Sequence, residues 1–437
     1  MVVASIDLQG GKVVQLRQGS ELVLQRDNAV ELAGEFDRYG EVAVIDLDAA
    51  MGTGNNFEII KPLLRKAECR VGGGIRTPEQ ARELVSLGAA KIIVGSGAFR
   101  DPAKKGQPGE FGVNAAFLES IAKKIGRERL IVAIDARKTA GTDDGYEITV
   151  DGWKTPTGLP LVESAKAAGS FAGGFLFTCV DREGTMTGLD TAPVRALRGA
   201  LSGRITVAGG VSSVEEIAAL ADLGCDVQLG MALYTGKVSL ADAFVASLDW
   251  KKAAETSLGL IPVIAQSVDG QVLMTGFAGR EAVAKSFGRG KLCFHSRSRN
   301  KLWMKGENSG NVLTLRRLRA DCDRDALLAV VDPAGPVCHT GDWSCFGVQR
   351  RYTWEYLQSV IAERFRNPVP GSYTATLDDE LVREKVTEEA GEVCAAKTHD
   401  ELVWEAADLL YFTTALMTRE GVNVEEVLAE LDRRHKK

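Results

Sequence analysis

Two aspartates, Asp7 and Asp135, each close an apolar run, as Ile6-Asp7 and Ile134-Asp135. Two carboxyls facing one substrate can divide the work of general base and general acid. Their bland alternative is to cap the helix that follows a strand. The pair is part of a larger correspondence. Asp48 matches Asp181, Gly73-Gly74 matches Gly209-Gly210, and Gly95 matches Gly230, at offsets of roughly 130 to 136 residues, which a duplicated half explains better than chance. Glycine turns after strands bind phosphate because backbone N–H groups can approach closely and a helix N-terminus follows. Gly73, Gly74, Gly95 and Ser96 form one such set, and Gly209, Gly210, Gly230 and Met231 the other. One glycine run alone would equally be a tight turn. Two sets at repeat-related places imply a long substrate with a phosphate at each end.

Two further constellations lie beyond the repeat. Asp321-Cys322-Asp323-Arg324-Asp325 is followed by Cys338-His339-Thr340-Gly341 and by Cys345. Thiolates suit Zn²⁺ and carboxylates suit Mg²⁺. Three thiolates leave a fourth zinc position for water, as a hydrolytic site requires, and a structural zinc site is the alternative. Further on, Glu389 and Glu392 share one helix face at i, i+3, and Glu405 and Asp408 repeat that spacing. Four inward carboxylates on a helical bundle would hold Mg²⁺ and grip a polyphosphate. A solvated acidic face is the alternative, but Asp408 adjoins the apolar run Leu409-Leu410-Tyr411-Phe412.

The elements that must position these groups follow from periodicity. Residues 1 to 250 alternate eight short apolar runs with helix-like segments, and many of the runs end in Asp or Gly. That pattern fits a (β/α)₈ TIM barrel with duplicated half-barrels. Residues 253–350 are strand-rich and predict a small β-rich α+β domain. Residues 352–437 carry amphipathic helical spacing, with Gly and Pro almost gone after Gly371, and predict an all-α domain. The expected joints fall near 250–258 and 347–353. A chain of 437 residues is too long for one ordinary core.

Composition bounds the rest. With 45% hydrophobic and 26% charged residues the chain reads as globular. A net charge of −6 argues against nucleic acid as a partner. No apolar run approaches a membrane span, and the opening MVVASIDLQGG reads as a strand, not a signal peptide. A cytoplasmic protein with no membrane partner is expected. Of eight cysteines, only Cys322, Cys338 and Cys345 sit among polar residues, and disulfides are not expected.

The same residues carry family resemblances. The stretches VASIDLQGGKVVQLRQG (3–19), RVGGGIRT, DGWKTPTG, VDREGTMTG and VAGGVSS resemble HisA, the isomerase of histidine biosynthesis that converts an aminoaldose into an aminoketose. The resemblance implies that Asp7 is the catalytic base and Asp135 the general acid. It places Asp181 and Thr185 in substrate binding and Trp153 on a closing loop, with no cofactor. The chain departs from the family at Thr187-Gly188-Leu189-Asp190 and in the longer segment 101–114. Residues 258–347, with SRSR, KGENSG, DCDRDA and CHTGDWSCF, resemble phosphoribosyl-AMP cyclohydrolase, HisI. That implies zinc on Cys322, Cys338 and Cys345 contributed by both chains of a dimer, and magnesium on Asp321, Asp323 and Asp325. Arg297, Arg299, Lys305 and Ser309 become candidate phosphate contacts, with a solvated basic face as the alternative, and His339 a candidate proton shuttle. Residues 353–435 resemble phosphoribosyl-ATP pyrophosphohydrolase, HisE. There Glu389, Glu392, Glu405 and Asp408 would bind magnesium, and Ser372, Tyr373 and Lys385 substrate. The combined expectation is a trifunctional, homodimeric enzyme acting on phosphoribosyl compounds. The rival expectations are a degenerate barrel scaffold and a barrel that also serves tryptophan synthesis.

Overall fold

The computed structural model describes residues 1–107, 109–347 and 352–435, so part of the expected second joint, 347–353, lies outside the described residues. Eight parallel strands close into a barrel: β1 (Val2–Gln9), β2 (Val42–Asp46), β3 (Cys69–Gly72), β4 (Lys91–Val94), β5 (Leu130–Lys138), β6 (Gly174–Cys179), β7 (Arg204–Ala208) and β8 (Asp226–Leu229). Registers such as Ala4↔Leu229 and Asp135↔Thr178 set neighbouring strand ends level. The two halves repeat in detail. β1 is followed by an antiparallel hairpin, Lys12–Arg17 with Glu21–Arg26, and β5 by another, Tyr146–Val150 with Thr155–Pro160. Helix Pro78–Ser86 is capped by Thr77 and helix Val214–Asp222 by Ser213, each hydroxyl accepting a backbone N–H at the third helical residue.

Period-two alternation decides what faces the bore. On β1, Val2, Ala4, Ile6 and Leu8 pack outward against the helices, leaving Val3, Ser5 and Asp7 to face inward. On β5 the same parity turns Ile131, Ala133 and Asp135 into the bore. The middle of the bore is apolar, with Ile93, Ile131, Ala133, Leu176 and Ala208. Below it, at the N-terminal ends of the strands, buried Arg70 donates from Nε to Glu41 at 2.8 Å and from Nη1 to the Thr206 hydroxyl at 2.9 Å, and Lys91 also pairs with Glu41. Burial alone would raise the Glu41 pKa, but Arg70 and Lys91 outweigh it and hold it down to about 2. This charged layer closes the floor of the barrel.

The first expected joint is a helix, Trp250–Thr256, capped by Asp249 and with Trp250 buried. Beyond it, strands Ile261–Ser267, Val272–Ala278, Leu313–Ala320 and Leu327–Pro333 form one sheet, accompanied by helix Arg280–Arg289 and the hairpin Cys293–Ser296/Lys301–Met304. The chain packs as two compact units: residues 1–266 with 274–335, and 267–273 with 336–437. Within the first, the small sheet is bound to the barrel's N-terminal end. Arg317 Nε meets Asp37 at 2.6 Å, Arg319 donates to the Asp37 carbonyl at 2.9 Å, and the Leu318 N–H donates to the Arg38 carbonyl at 3.1 Å. Tyr39 stacks on Phe287 at 4.2 Å. Removing the buried carboxylate takes away the acidic partner of Arg317 and leaves Arg319 only its longer pairing with Glu68, at 3.5 Å. Asp37→Ala is expected to lower the urea-unfolding free energy of this unit by about 2 kcal/mol, with Asp37→Asn milder.

The second unit contains four helices, Trp354–Arg366, Asp379–Ala395, His399–Arg419 and Val424–His435. Leu357, Ile361, Val382, Phe412 and Ala415 form their core. Thr398 and Glu401 make a reciprocal capping box that starts the longest helix. No helix among the described residues is long and apolar enough to cross a membrane.

Candidate functional site

A cavity of about 500 Å³ opens at the C-terminal ends of the barrel strands. Its floor holds three carboxyl groups. Asp7 accepts from the Ser5 hydroxyl at 2.8 Å and from the Gln15 amide, and burial outweighs both donors, pushing its pKa up to about 6. Burial also raises Asp135, against hydrogen bonds from the Thr178 hydroxyl and the Trp153 indole. Glu183 is the third. Burial and the like charges of Asp7 and Asp135 push it up to about 7, although the Gly184 N–H donates to it. Sequence reasoning missed Glu183. The repeat drew attention to Asp181, the mate of Asp48, while the acid that reaches the cavity lies two residues on.

The glycine turns stand where the duplication predicts. Gly73, Gly74, Gly95 and Ser96 line one side of the cavity, and Gly209, Gly210, Gly230 and Met231 the other. A Cβ at Gly73 would lie 2.1 Å from the Asp46 carbonyl oxygen and one at Gly74 2.5 Å from that of Ala49, both at positive φ. Only glycine lets these turns pass so close to the neighbouring backbone. Gly95 and Gly230 share an unusual conformation, φ −99°, ψ −106° and φ −117°, ψ −97°. Trp153 lies over the mouth at φ +70°, its ring against the Gly19 backbone. Gln15, Arg76 and Lys154 also line the cavity and were not anticipated.

Asp181 and Thr185 do not line it. The exposed Asp181 carboxylate accepts the Lys138 N–H at 2.8 Å, and Thr185 donates to the Arg182 carbonyl at 2.8 Å. Both follow or lie in a 3₁₀ turn over Val180–Arg182, after which Glu183 reaches the cavity.

In the small sheet's loop, Asp321, Asp323 and Asp325 bring oxygens within 4.8 Å of one another. Burial and its two neighbours raise the Asp321 pKa. Hard oxygen donors that repel one another suit a divalent cation. Cys322 is exposed in that loop. Cys338 and Cys345 belong to the other unit. There a hydroxyl bond from Thr340, at 3.1 Å, and bonds from the Thr340 N–H and Cys345 lower the Cys338 pKa toward the thiolate that zinc prefers. His339 is exposed, with Nδ1 3.7 Å from the Cys338 sulfur. Arg297 lies 3.8 Å over the Phe277 ring, while Arg299 and Lys305 both lie 5.7 Å from the Trp303 ring centre. The Ser309 hydroxyl accepts the Asn311 N–H at 3.3 Å.

On the helices, Glu389, Glu392 and Glu405 bring oxygens within 4.8 Å of one another. Burial, then Glu392, Glu389 and Asp408, raise the Glu405 pKa, so Asp408 borders the group. Glu389 is buried. Lys385 pairs with Glu388 at 2.7 Å and Glu389 at 3.2 Å. Tyr373 meets Phe412 edge-on, and the buried Ser372 hydroxyl has no hydrogen-bond partner among the described residues.

Three family models match the chain in succession. The family model described as histidine biosynthesis protein matches residues 1–239, phosphoribosyl-AMP cyclohydrolase matches 274–347, and phosphoribosyl-ATP pyrophosphohydrolase matches 355–435. Among similar curated proteins is the histidine biosynthesis bifunctional protein HisIE of Pyrococcus furiosus, 37% identical over 210 residues, covering 45% of this chain and 99% of that protein. Those of Bacillus subtilis and Escherichia coli are each 41% identical, covering 40% and 43% of this chain and 92% and 95% of their own lengths.

Proposed function

The chain belongs to the histidine biosynthesis protein family through its barrel and to the bifunctional HisIE proteins beyond it, and from that premise we propose that it is one trifunctional enzyme. The helical region removes pyrophosphate from phosphoribosyl-ATP. The small sheet, with the cysteine loop, opens the adenine ring of phosphoribosyl-AMP. The barrel isomerises the resulting aminoaldose to the aminoketose.

The observation that carries the barrel assignment is three carboxyls on the cavity floor between two repeat-related glycine turns. A degenerate scaffold would have no reason to retain costly buried acids. The turns hold a phosphate at each end of the substrate, and Trp153 covers its middle. Asp7, mostly ionised at neutral pH, removes the C2 proton. Glu183 is half protonated there and, with Asp135, protonates the ring oxygen. Burial raises Asp135 as well, against the opposing hydrogen bonds from Thr178 and Trp153. The kcat/KM profile is therefore expected to rise through about pH 6 as Asp7 ionises and to fall through about pH 7 as Glu183 loses its proton. Glu183→Gln should remove that alkaline limb; an unchanged limb would return the acid role to Asp135 alone.

For the other two reactions the residues fit the metals by donor chemistry. Cys322, Cys338 and Cys345, contributed by both chains of a dimer, would hold zinc, which supplies the Lewis acidity for ring opening. Asp321, Asp323 and Asp325, and Glu389, Glu392, Glu405 and Asp408, would hold magnesium, which neutralises phosphate charge. The chain's own contribution is to bind and orient: Arg297, Arg299 and Lys305 flank aromatic faces where a phosphoribosyl group can sit, and His339 is placed to move a proton. A homodimer through both C-terminal regions fits the exposed Leu402, Val403 and Trp404. The barrel assignment is tested by supplying purified aminoaldose with a chelator present. Turnover to the aminoketose without metal supports it, and its absence leaves a bifunctional enzyme.

A further inference from the structure

The acidic loop of the small sheet is not free-standing. Arg324, at its centre, adopts φ +64°, a conformation that non-glycine residues hold only when their surroundings demand it. Its surroundings are the end of the barrel. The Asp249 N–H donates to the Arg324 carbonyl at 2.9 Å, and the Arg324 guanidinium donates to the Ala221 carbonyl at 2.5 Å. Asp249 caps the helix Trp250–Thr256. These ties aim Lys252, near the start of that helix, into the loop, where its ammonium lies 2.5 Å from Asp323 and 2.6 Å from Asp325. A lysine there occupies the oxygens that a divalent cation would take from the same two residues.

We propose that Lys252 is a built-in counter-ion of the acidic loop, holding Asp323 and Asp325 until a divalent cation displaces it, so that the helix joining the barrel to the small sheet sets the metal affinity of the cyclohydrolase region. The proposal rests on the reading of Asp321, Asp323 and Asp325 as a cation site. Three carboxylates within 4.8 Å repel one another, and the ammonium keeps them gathered without metal. An incoming cation must break both ion pairs, which weakens its apparent binding. Lys252 is about two-fifths exposed, so its side chain can swing into solvent without a cavity forming behind it.

The test is Mn²⁺ binding to the full chain, read by the electron paramagnetic resonance of the free ion. The helical carboxylates are silenced by Glu392→Gln and Glu405→Gln. In that background Lys252→Met is expected to tighten binding about three- to tenfold, because two exposed ion pairs no longer compete. Lys252→Arg, which keeps the charge, should bind as the parent does. Asp323→Asn should abolish binding and so locate it. Equal or weaker binding by Lys252→Met overturns the proposal, as does tightening by Lys252→Arg to the same extent. Absence of Mn²⁺ binding in every chain overturns the cation-site reading itself, and the proposal with it.

Discussion

Asp7→Asn is expected to abolish isomerisation, by on the order of a thousandfold or more in kcat, while leaving the two hydrolytic reactions intact. Asparagine has nearly the same shape and can still accept from Ser5 and Gln15, so the barrel should fold. What it lacks is a basic oxygen. It also removes a negative charge beside Glu183, whose elevated pKa depends partly on Asp7. Glu183 should therefore become a stronger acid in the variant, and any residual activity should fall off at lower pH. With phosphoribosyl-ATP as substrate, the aminoaldose should accumulate. Continued formation of the aminoketose at near wild-type rate would show that the base lies elsewhere.

The second large effect is expected on the helices. Glu405→Gln should lower pyrophosphate release by at least about a hundredfold with isomerisation unchanged. Its stability signature has the opposite sign. Burial, then Glu392, Glu389 and Asp408, raise the Glu405 pKa, so neutralising it relieves repulsion in the metal-free protein. The variant should melt no lower than the parent without metal and lose most of the stabilisation that Mg²⁺ confers. Undiminished Mg²⁺ stabilisation would mean that the ion binds elsewhere.

Much of the scaffold was legible because its periodicities are strong. All eight barrel strands announce themselves as apolar runs, many ending in Asp or Gly, and the repeat-related Gly95 and Gly230 share a backbone conformation. Helix Arg280–Arg289, between Gly279 and Gly290, supplies a helical part of the α+β domain that the strand-rich stretch predicts. What escaped depended on contacts between distant residues or on weak local signals. Glu183 is marked by nothing except its place after a 3₁₀ turn, and it lines the cavity where Asp181 and Thr185 do not. Lys252 reads as an ordinary helix lysine, since its partners lie more than seventy residues on. The buried layer of Arg70, Glu41 and Lys91 is equally silent in one dimension. It closes the barrel floor, so a ligand of the cavity must enter from the opposite end to the one that carries the acidic loop.

The most direct test of the whole account is to give the purified chain phosphoribosyl-ATP with Mg²⁺ and Zn²⁺ and to separate the products chromatographically before mass detection, since the two final isomers have equal mass. The account predicts that pyrophosphate and the aminoketose both accumulate from the single polypeptide. Arrest at the aminoaldose in the unaltered chain would contradict it and leave a bifunctional hydrolase joined to a barrel with another task.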